Sequence, residues 1–220
     1  MKQTKRFLSL ALALILTIAA LLSFSSCSKK PKVYIAIEGY GVVTVKLYEK
    51  DAPITVANFK KLVNEGFYDG LTFHRVIEGF MIQGGDPKGN GTGGADEDIV
   101  GEFKLNGHDT GIKHKKGTIS MARSGSPYEQ YLYAGYDVPL EYLEPAFNSA
   151  SSQFFIVSET SENNSLSLDG KYAAFGRVTH GMKIVKKISA VATDANDKPV
   201  KTVTIATITF DKKAAKAALN

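Results

Sequence analysis

The sequence predicts a mostly β protein, an antiparallel barrel or sandwich that carries two helices. Three observations indicate this fold class: many short segments rich in β-branched and aromatic residues, glycine-rich turns between them, and only two stretches with helical spacing. The chain has 220 residues, 44% of them hydrophobic, which suits a compact domain with a buried core. Charged residues of both signs make up 22%, so most of the chain is expected to fold.

Eight segments have the pattern of β-strands. Residues 33–37 and 42–48 are joined by the turn Glu38-Gly39-Tyr40-Gly41 and are rich in valine, isoleucine and tyrosine. The remaining predicted strands are 71–77, 80–84, 118–122, 153–157, 172–178 and 200–210. No internal repeat accompanies them.

Two segments have the spacing of amphipathic helices. Pro53 suits the first turn of one helix, which ends at Gly66. Its apolar face is formed by Val56, Phe59, Leu62 and Val63. The second covers residues 182–190, with Met182, Val185 and Ile188 or Ser189 on one face. The last residues, 211–220, have the composition of a solvated alanine and lysine tail.

The N-terminus has the pattern of a cleaved export signal. Three basic residues among the first six precede an uncharged run over residues 7–22. This run of 16 residues is shorter than the roughly 20 that span the hydrocarbon core of a membrane. Its length therefore favours a cleaved signal over a permanent transmembrane helix.

The export signal leads directly to Cys27, the single cysteine of the chain. The stretch Ser23-Phe24-Ser25-Ser26-Cys27 resembles the lipobox of bacterial lipoproteins, with Phe24 where leucine is usual. We therefore expect residues 1–26 to be a signal peptide and Cys27 to be lipidated. Residues 27–32 would then tether the domain to the extracytoplasmic side of the cell membrane. The alternative is an ordinary secretory signal with an incidental cysteine.

Removal of the signal changes the charge of the chain. Of 27 basic and 22 acidic residues, three basic and no acidic ones lie in residues 1–26, so the net charge falls from +5 to +2. A surface for nucleic acid is therefore not indicated. One cysteine also cannot form an intramolecular disulfide.

Residues 89–94 match the pattern G-x-G-x-x-G, but their surroundings differ from a dinucleotide site. Asp86-Pro87-Lys88 precedes them where a strand is required, and three carboxylates follow within residues 95–98 where the phosphate would bind. We interpret this segment as a turning loop and the three carboxylates as solvated, because they lack a complete calcium-ligand pattern. The four histidines have no metal-site spacing, and no metal or cofactor is expected.

The segment from Phe73 to Asp86 contains an unusual arginine. Arg75 lies among apolar residues, where a guanidinium is costly to bury without a partner. It is either a functional group or the internal partner of a carboxylate such as Glu78 or Asp86.

This segment, Phe73-His74-Arg75-Val76-Ile77-x-Gly79-Phe80-Met81-Ile82-Gln83-Gly84-Gly85-Asp86, resembles the signature of cyclophilins, which are peptidyl-prolyl cis-trans isomerases. Further matching segments, in the family's order, are 53–59, 91–94, 117–122, 152–156, 168–171 and 175–178. The resemblance covers about residues 33–210. It implies an eight-stranded antiparallel β-barrel capped by two α-helices over residues 33–211, followed by a tail over 212–220.

The resemblance also implies roles for individual residues. Arg75 would be the catalytic arginine, with Gln83 beside it. The proline pocket would be formed by Phe80, Met81, Phe155, Leu168 and Tyr172. The substrate chain would be bound by Gln153 and by the backbone around Ala122 and Arg123. Cyclosporin-sensitive members have tryptophan where this chain has Ser167, so we expect weak cyclosporin binding.

Compact cyclophilins have a short loop where this chain has residues 123–152. This insertion holds half of the 10 tyrosines: Tyr128, Tyr131, Tyr133, Tyr136 and Tyr142. Two interpretations are open: the rings form a binding surface, or they fold back on the barrel.

We expect an exported, lipid-anchored isomerase that acts as a monomer on proline-containing unfolded polypeptides outside the cytoplasm. A non-catalytic module that binds proline peptides is a second possibility. A substrate-binding lipoprotein of a transporter is a third, disfavoured by the short chain and the lack of a two-lobed α/β pattern.

Overall fold

The computed structural model describes residues 31–220. The predicted signal peptide, Cys27 and most of the tether lie outside the described residues. Within residues 31–220, no helix has both the length and the apolar character needed to cross a membrane.

All eight predicted strands are present. They are β1 (Lys32–Ile37), β2 (Gly41–Leu47), β3 (Arg75–Ile77), β4 (Met81–Gly84), β5 (Thr118–Met121), β6 (Phe154–Val157), β7 (Ala174–His180) and β8 (Ile205–Thr209). They form one sheet in the order β3-β4-β6-β5-β7-β2-β1-β8. Every neighbouring pair is antiparallel, which confirms the predicted fold class.

The sheet curls until its two edges meet. The residues just before β3 contact those just before β8: Thr72 forms a β-bridge with Thr204, and the Phe73 N–H donates to the Val203 carbonyl at 3.0 Å. The two edge strands are therefore covered rather than open to other chains.

The helices in the described part of the chain are α1 (Pro53–Asn64), α2 (Glu129–Tyr133), α3 (Glu144–Phe147), α4 (Glu162–Leu168), α5 (Met182–Ser189) and α6 (Lys212–Ala217). The two longest, α1 and α5, are the two predicted helices. Short 3-10 turns occur at Lys104–Asn106 and Leu140–Tyr142. The N-terminus of α1 has no capping side chain of its own; instead, the distant Glu102 carboxylate accepts the Thr55 N–H at 2.7 Å.

Aromatic rings join α1 to the inner face of the sheet. Phe59 of α1 lies against Tyr68, Phe154 and Phe175, with ring centroids between 5.1 and 5.9 Å apart. All four rings are fully buried. This contact holds α1 over the barrel and leaves the outer face of β3, β4 and β6 for the site described below.

The C-terminal tail is not irregular throughout: residues 212–217 form α6, and all of them except Ala215 are exposed. The Asp211 carboxylate caps this helix by accepting the Lys213 N–H at 2.7 Å. Ala215 is fully buried where α6 packs on β1 and β8. The alanines and lysines favour a helix, and one small apolar contact is enough to dock it.

The insertion is held to the barrel by aliphatic and phenylalanine side chains. Leu143, Ala146 and Phe147 are buried, and Phe147 packs edge-on against Phe103 at 5.1 Å. All five tyrosines are at least 42% exposed, which favours the interpretation as a binding surface, although Tyr133 also contacts Glu129 and Lys171 on the side of the barrel.

Candidate active site

The strand register places three of the predicted site residues in one row. Arg75 on β3 lies opposite Gln83 on β4, and Gln83 lies opposite Phe155 on β6. Because successive side chains of a strand alternate between faces, these three lie on the face opposite to the buried Val76 and Ile82. The row is therefore on the outer surface of the barrel.

This surface contains a cavity of about 200 Å³. It is lined by Arg75, Phe80, Met81, Gln83, Ala122, Arg123, Phe155, Leu168 and Tyr172. An adjoining cavity of about 370 Å³ is lined in part by Gln153 and shares Gln83, Ala122 and Arg123 with the first. The structure thus brings all ten predicted site residues of the barrel together.

The walls of the first cavity form an apolar cluster separate from the main core. Met81, Phe155 and Leu168 are buried in it, and Tyr172 packs edge-on against Phe155 with ring centroids 5.6 Å apart. We call this cavity the proline pocket, after the role predicted for its residues.

Arg75 lies at the mouth of the proline pocket with 44% of its side chain exposed. Its Nε donates to the Asp197 carboxylate at 3.3 Å. Arg75 is therefore paired with a carboxylate, as the alternative supposed, but the partner is Asp197 rather than Glu78 or Asp86, and the pair is half-exposed rather than internal. The half-exposed position avoids most of the desolvation cost, so no buried carboxylate is required.

Asp197 occupies a strained turn. Its φ of 62° lies in the left-handed region, which non-glycine residues enter at a cost. The Asp194 carboxylate holds the turn by accepting the N–H groups of Asn196 and Lys198 at 2.8 and 3.0 Å. The sequence Asn196-Asp197-Lys198-Pro199 has turn-forming residues, but sequence alone does not show which side chain this turn presents to Arg75.

The glycine-rich loop over residues 89–94 is folded around a carboxylate of the same chain. Asp86 accepts the backbone N–H groups of Lys88, Asn90 and Gly91 at 2.8, 2.9 and 2.5 Å. Burial raises the pKa of the Asp86 carboxyl, but these three hydrogen bonds bring it below its ordinary value. The amides that would bind a phosphate are already bonded, which supports the interpretation as a turning loop.

The same loop orients Gln83, the glutamine of the row, through a second glutamine, Gln153. Gln153 Nε2 donates to the carbonyls of Gly91 and Gly93 at 3.1 and 2.6 Å. Gln153 Oε1 accepts from Gln83 Nε2 at 2.9 Å. Gln83 is thereby fixed beside Arg75 by contacts that begin in the loop.

The Arg123 side chain lies behind the pocket wall and is only 2% exposed. It donates to both carboxylate oxygens of Glu129, at 2.8 and 3.0 Å. Its guanidinium carbon lies 4.9 Å from the ring centres of both Phe147 and Tyr172. Only the Arg123 backbone is left for a substrate, as the predicted role requires, while the side chain supports Tyr172.

Helix α2 of the insertion provides the partner of Arg123. Burial raises the pKa of the Glu129 carboxyl, but hydrogen bonds from Arg123, Tyr133 and the Ser126 N–H lower it to about 2. The Tyr133 ring lies 4.1 Å from the Lys171 ammonium, next to Tyr172 in the chain. Sequence reasoning missed Glu129 and Tyr133 as supports of the pocket, because nothing in their spacing links them to Tyr172.

A buried histidine supports the pocket from below. His114 stacks on Phe155, with ring centres 6.0 Å apart. Its two ring nitrogens lie 3.1 Å from the Asp169 carboxylate and 3.1 Å from the Ser120 hydroxyl. Burial lowers the pKa of the imidazole, although Asp169 acts against that change. At neutral pH this ring is therefore an uncharged packing group.

Among residues 31–220, no group of three or more histidine, cysteine, aspartate or glutamate side chains is placed to hold a metal ion.

The sequence matches one known protein family over nearly all of the described residues. The family model described as cyclophilin type peptidyl-prolyl cis-trans isomerase/CLD matches residues 32–210. Peptidyl-prolyl cis-trans isomerase B of Bacillus subtilis is 41% identical over 156 residues, which cover 71% of this chain and 89% of that protein. Peptidyl-prolyl cis-trans isomerase-like 1 of Rhizopus delemar is 40% identical over 159 residues, which cover 72% and 80%.

The solved structures that resemble this fold belong to the same family as these relatives. A crystal structure of a Cryptosporidium parvum cyclophilin type peptidyl-prolyl cis-trans isomerase has a TM-score of 0.64 and 28% identity, covering 81% of this chain and 96% of that chain. A second crystal structure of it, in the presence of the dipeptide Ala-Pro, has the same TM-score and 27% identity, covering 82% and 99%. The chain belongs to the cyclophilin family of peptidyl-prolyl cis-trans isomerases, whose members are enzymes.

Proposed function

We propose that the protein accelerates the isomerisation of X-Pro bonds in exported polypeptides, with Arg75 as the catalytic residue and the proline pocket as the binding site. The observation that carries the proposal is the cavity of about 200 Å³ in which apolar walls meet the Arg75 guanidinium. Such a cavity has the size and polarity for a pyrrolidine ring, and the cation faces the adjacent amide.

The reaction needs stabilisation of a twisted amide and no covalent chemistry. Rotation of an X-Pro bond is opposed by about 18–20 kcal/mol, because the nitrogen lone pair is delocalised into the carbonyl. Arg75 would donate to the prolyl carbonyl and, as the amide twists, to the lone pair that localises on nitrogen. Since its Nε is bonded to Asp197, the two terminal amino groups of the fork face the substrate.

The arginine accounts for part of the acceleration. A charge-assisted hydrogen bond contributes about 1.5–3 kcal/mol, which corresponds to about one to two decades in rate. The remainder would come from the pocket, which grips the ring while the preceding residue rotates and favours the twisted amide over both ground states. Phe155, Met81 and Leu168, all buried, form the apolar part of that grip.

The direct test is Arg75→Ala in a protease-coupled assay on a proline tetrapeptide. We expect kcat/KM to fall by at least about tenfold, with the melting temperature unchanged. The variant Arg75→Lys should retain more activity than Arg75→Ala but less than the unmodified protein, since an ammonium lacks the planar fork of the guanidinium. Arg177→Ala removes an exposed arginine of β7 and serves as the control. Near-normal turnover in Arg75→Ala would remove Arg75 from the mechanism. Peptide binding without turnover by the unmodified protein would favour the non-catalytic module.

We propose in addition that the chain is anchored to the membrane by a lipid on Cys27. The support is the order of a basic start, an apolar run too short to span a membrane and small residues before the cysteine. We expect radiolabelled palmitate to enter the protein and Cys27→Ser to move it from the membrane fraction to the soluble exported fraction. An unchanged distribution in Cys27→Ser would indicate an ordinary secretory signal.

We also propose weak cyclosporin binding. The Ser167 hydroxyl donates to the Asn163 and Asn164 carbonyls of its own helix at 2.9 and 3.1 Å, so this position offers no donor to a ligand. An inhibition constant in the nanomolar range would contradict this expectation.

A further inference from the structure

We infer that the outer face of the insertion binds a positively charged, unfolded segment of the client chain beyond the proline. The inference rests on the proposed function and names the chemistry of its substrates. We call this face the tyrosine surface. Its exposed members are Tyr128, Tyr131, Tyr133, Tyr136, Leu140 and Tyr142, together with the acidic Glu141.

The first argument is the concentration of exposed apolar side chains. Six of the eleven large hydrophobic side chains that are exposed within residues 31–220 lie between residues 128 and 142. Single exposed hydrophobic residues are normal on a monomer, but a contiguous group marks an interaction site. Tyrosine suits that use, because its ring is rigid and carries both an apolar face and a hydroxyl.

The second argument is that the surface is ordered before a partner arrives. The rings of Tyr128 and Tyr142 lie 4.9 Å apart, and those of Tyr131 and Tyr136 lie 6.2 Å apart. The backbone beneath them is held by the buried Phe147. A partner therefore meets side chains that are already positioned, which reduces the entropic cost of binding.

The third argument is charge. Residues 124–152 of the insertion contain four acidic and no basic residues, whereas the rest of residues 31–220 contain 18 acidic and 22 basic residues. One of the four acidic residues, Glu129, is bonded internally to Arg123. Glu141 is exposed on the tyrosine surface itself. One lysine from outside the insertion, Lys171, already lies 4.1 Å from the Tyr133 ring, so the ring of a tyrosine in this segment does accept a cation. A chain with lysine or arginine is attracted to this field and can place its cations over the tyrosine rings.

The fourth argument is continuity with the proline pocket. The two ends of the insertion, at Ser124 and Ser149, line the cavity that adjoins the pocket. Ser149 Oγ accepts the Ser124 N–H at 2.8 Å, which closes the base of the insertion at that cavity. A client chain that runs from the proline pocket through the adjoining cavity therefore passes the base of the insertion.

The negative charge of the insertion favours an unfolded client over two other possible occupants, an anionic membrane surface and a second copy of the chain. Anionic membrane surfaces attract basic segments, and an insertion with four acidic and no basic residues over 124–152 has the opposite sign. A second copy of the chain would bring the same negative charges together. An unfolded client with lysine or arginine near its proline fits both the aromatic rings and the charge.

The experiment compares three substrates with the full chain. One is a neutral proline tetrapeptide; the others are unfolded peptides of about 20 residues with the same tetrapeptide followed by lysines and leucines, or by glutamates and leucines. We expect a kcat/KM about tenfold higher for the lysine peptide than for the glutamate peptide, through a lower KM, and a smaller difference at high salt. Equal values for the two long peptides would overturn the inference.

Two double variants locate the effect. Tyr131→Ser with Tyr136→Ser, and Asp137→Asn with Glu141→Gln, should each lower kcat/KM for the lysine peptide several-fold and leave the tetrapeptide unchanged. Leu105→Ser with Val200→Ser removes exposed hydrophobic side chains elsewhere and should change neither value. Unchanged kinetics in both surface variants, with melting temperatures equal to that of the unmodified chain, would also overturn the inference.

Direct binding separates this inference from the proposed isomerase function. The fluorescence anisotropy of the lysine peptide with proline replaced by alanine reports the tyrosine surface alone. Binding of that peptide without tetrapeptide turnover would overturn only the isomerase proposal, and turnover without a lysine preference would overturn only this inference. Capture by anionic vesicles that is lost in Tyr131→Ser with Tyr136→Ser would identify a membrane surface instead, and would also overturn it.

Discussion

The Arg75 guanidinium is held from outside the proline pocket by one carboxylate, that of Asp197. A half-exposed ion pair of this kind contributes little to stability, so the value of Asp197 lies in the direction it gives to the arginine. Asp197 is also the one non-glycine residue in the described part of the chain with a positive φ. Its backbone is tied to β3, because its carbonyl accepts the Val76 N–H at 2.8 Å.

Substitutions at Asp197 separate its side chain from its backbone. Asp197→Gly removes the carboxylate and keeps the left-handed conformation, so we expect kcat to fall about three- to tenfold with no loss of melting temperature. Asp197→Asn keeps an acceptor for Nε and should lose less activity. Asp197→Ala should lower both kcat and the melting temperature, because alanine disfavours this φ. Full activity in Asp197→Gly would show that Arg75 does not need this partner.

At this scale, sequence identified Arg75 but not its partner. Arg75 stands in a dense local motif, whereas Asp197 is 122 residues away and reaches it only through the fold. A functional residue within a contiguous motif can be recognised from the sequence. A partner from a distant segment can be recognised only when the fold shows which segments lie side by side.

Among the elements, α2 links the insertion to the pocket. Arg123 and Glu129 form a nearly buried ion pair beside Tyr172. The pair divides the insertion into an inner part that supports the pocket wall and an outer part that carries the tyrosines, with Tyr133 in contact with both.

We expect Glu129→Gln to weaken both the fold and substrate binding. Removal of one partner from a buried pair leaves the Arg123 charge uncompensated, at a cost of about 3 kcal/mol in the free energy of unfolding. KM should rise because Tyr172 loses support, while kcat changes less, since Arg75 is untouched. Urea denaturation and tetrapeptide kinetics measure the two effects. Glu141→Gln on the exposed side of the insertion is the control, and equal stability of the two variants would contradict the expectation.

The same carboxylate makes stability depend on pH. Its pKa is about 2 in the folded chain, below the ordinary value of 4.5, so the folded state binds fewer protons between these values. The resulting stabilisation is complete above pH 4.5 and is lost as the pH falls through about 2. The urea midpoint should therefore drop over this range in the unmodified chain. A drop of the same size in Glu129→Gln would assign it to other groups.

The bounds of the strands and helices are predicted less well by the hydrophobic pattern than the elements themselves. The predicted strand 71–77 is only Arg75–Ile77 in the sheet ladder, and 200–210 is only Ile205–Thr209, because the flanking residues of each close the curl of the sheet. Helices α2 and α3 have five and four residues, too few to give a helical period. Helix α6 was missed because a single buried alanine defines its inner face.

For the whole molecule, the strand pattern predicted a mostly antiparallel β fold but left barrel and sandwich open, since alternation along strands is the same in both, and only the resemblance to cyclophilins implied a barrel. The sheet order decides between them. Strand β8 pairs with β1, and the residues before it contact those before β3. Both edges of the sheet therefore depend on the last strand.

A chain that ends at residue 204 should accordingly fail to fold, while one that ends at residue 211 should fold with reduced stability. The first lacks β8 and leaves β1 and the region before β3 unpaired; the second lacks only α6. Far-ultraviolet circular dichroism during urea titration tests both chains. A cooperative transition in the shorter chain would show that the barrel does not require its eighth strand.

This closure determines when the protein becomes competent as it is made. The ribosome releases the chain from its N-terminus, so β1 and β2 emerge first, yet β1 receives its second neighbour only when β8 appears. Asp197, the partner of Arg75, emerges almost as late. We therefore expect a nascent chain to stay open and inactive until nearly all of it has been synthesised. Late closure suits the proposed export, because a chain that has not yet folded can still be threaded across a membrane.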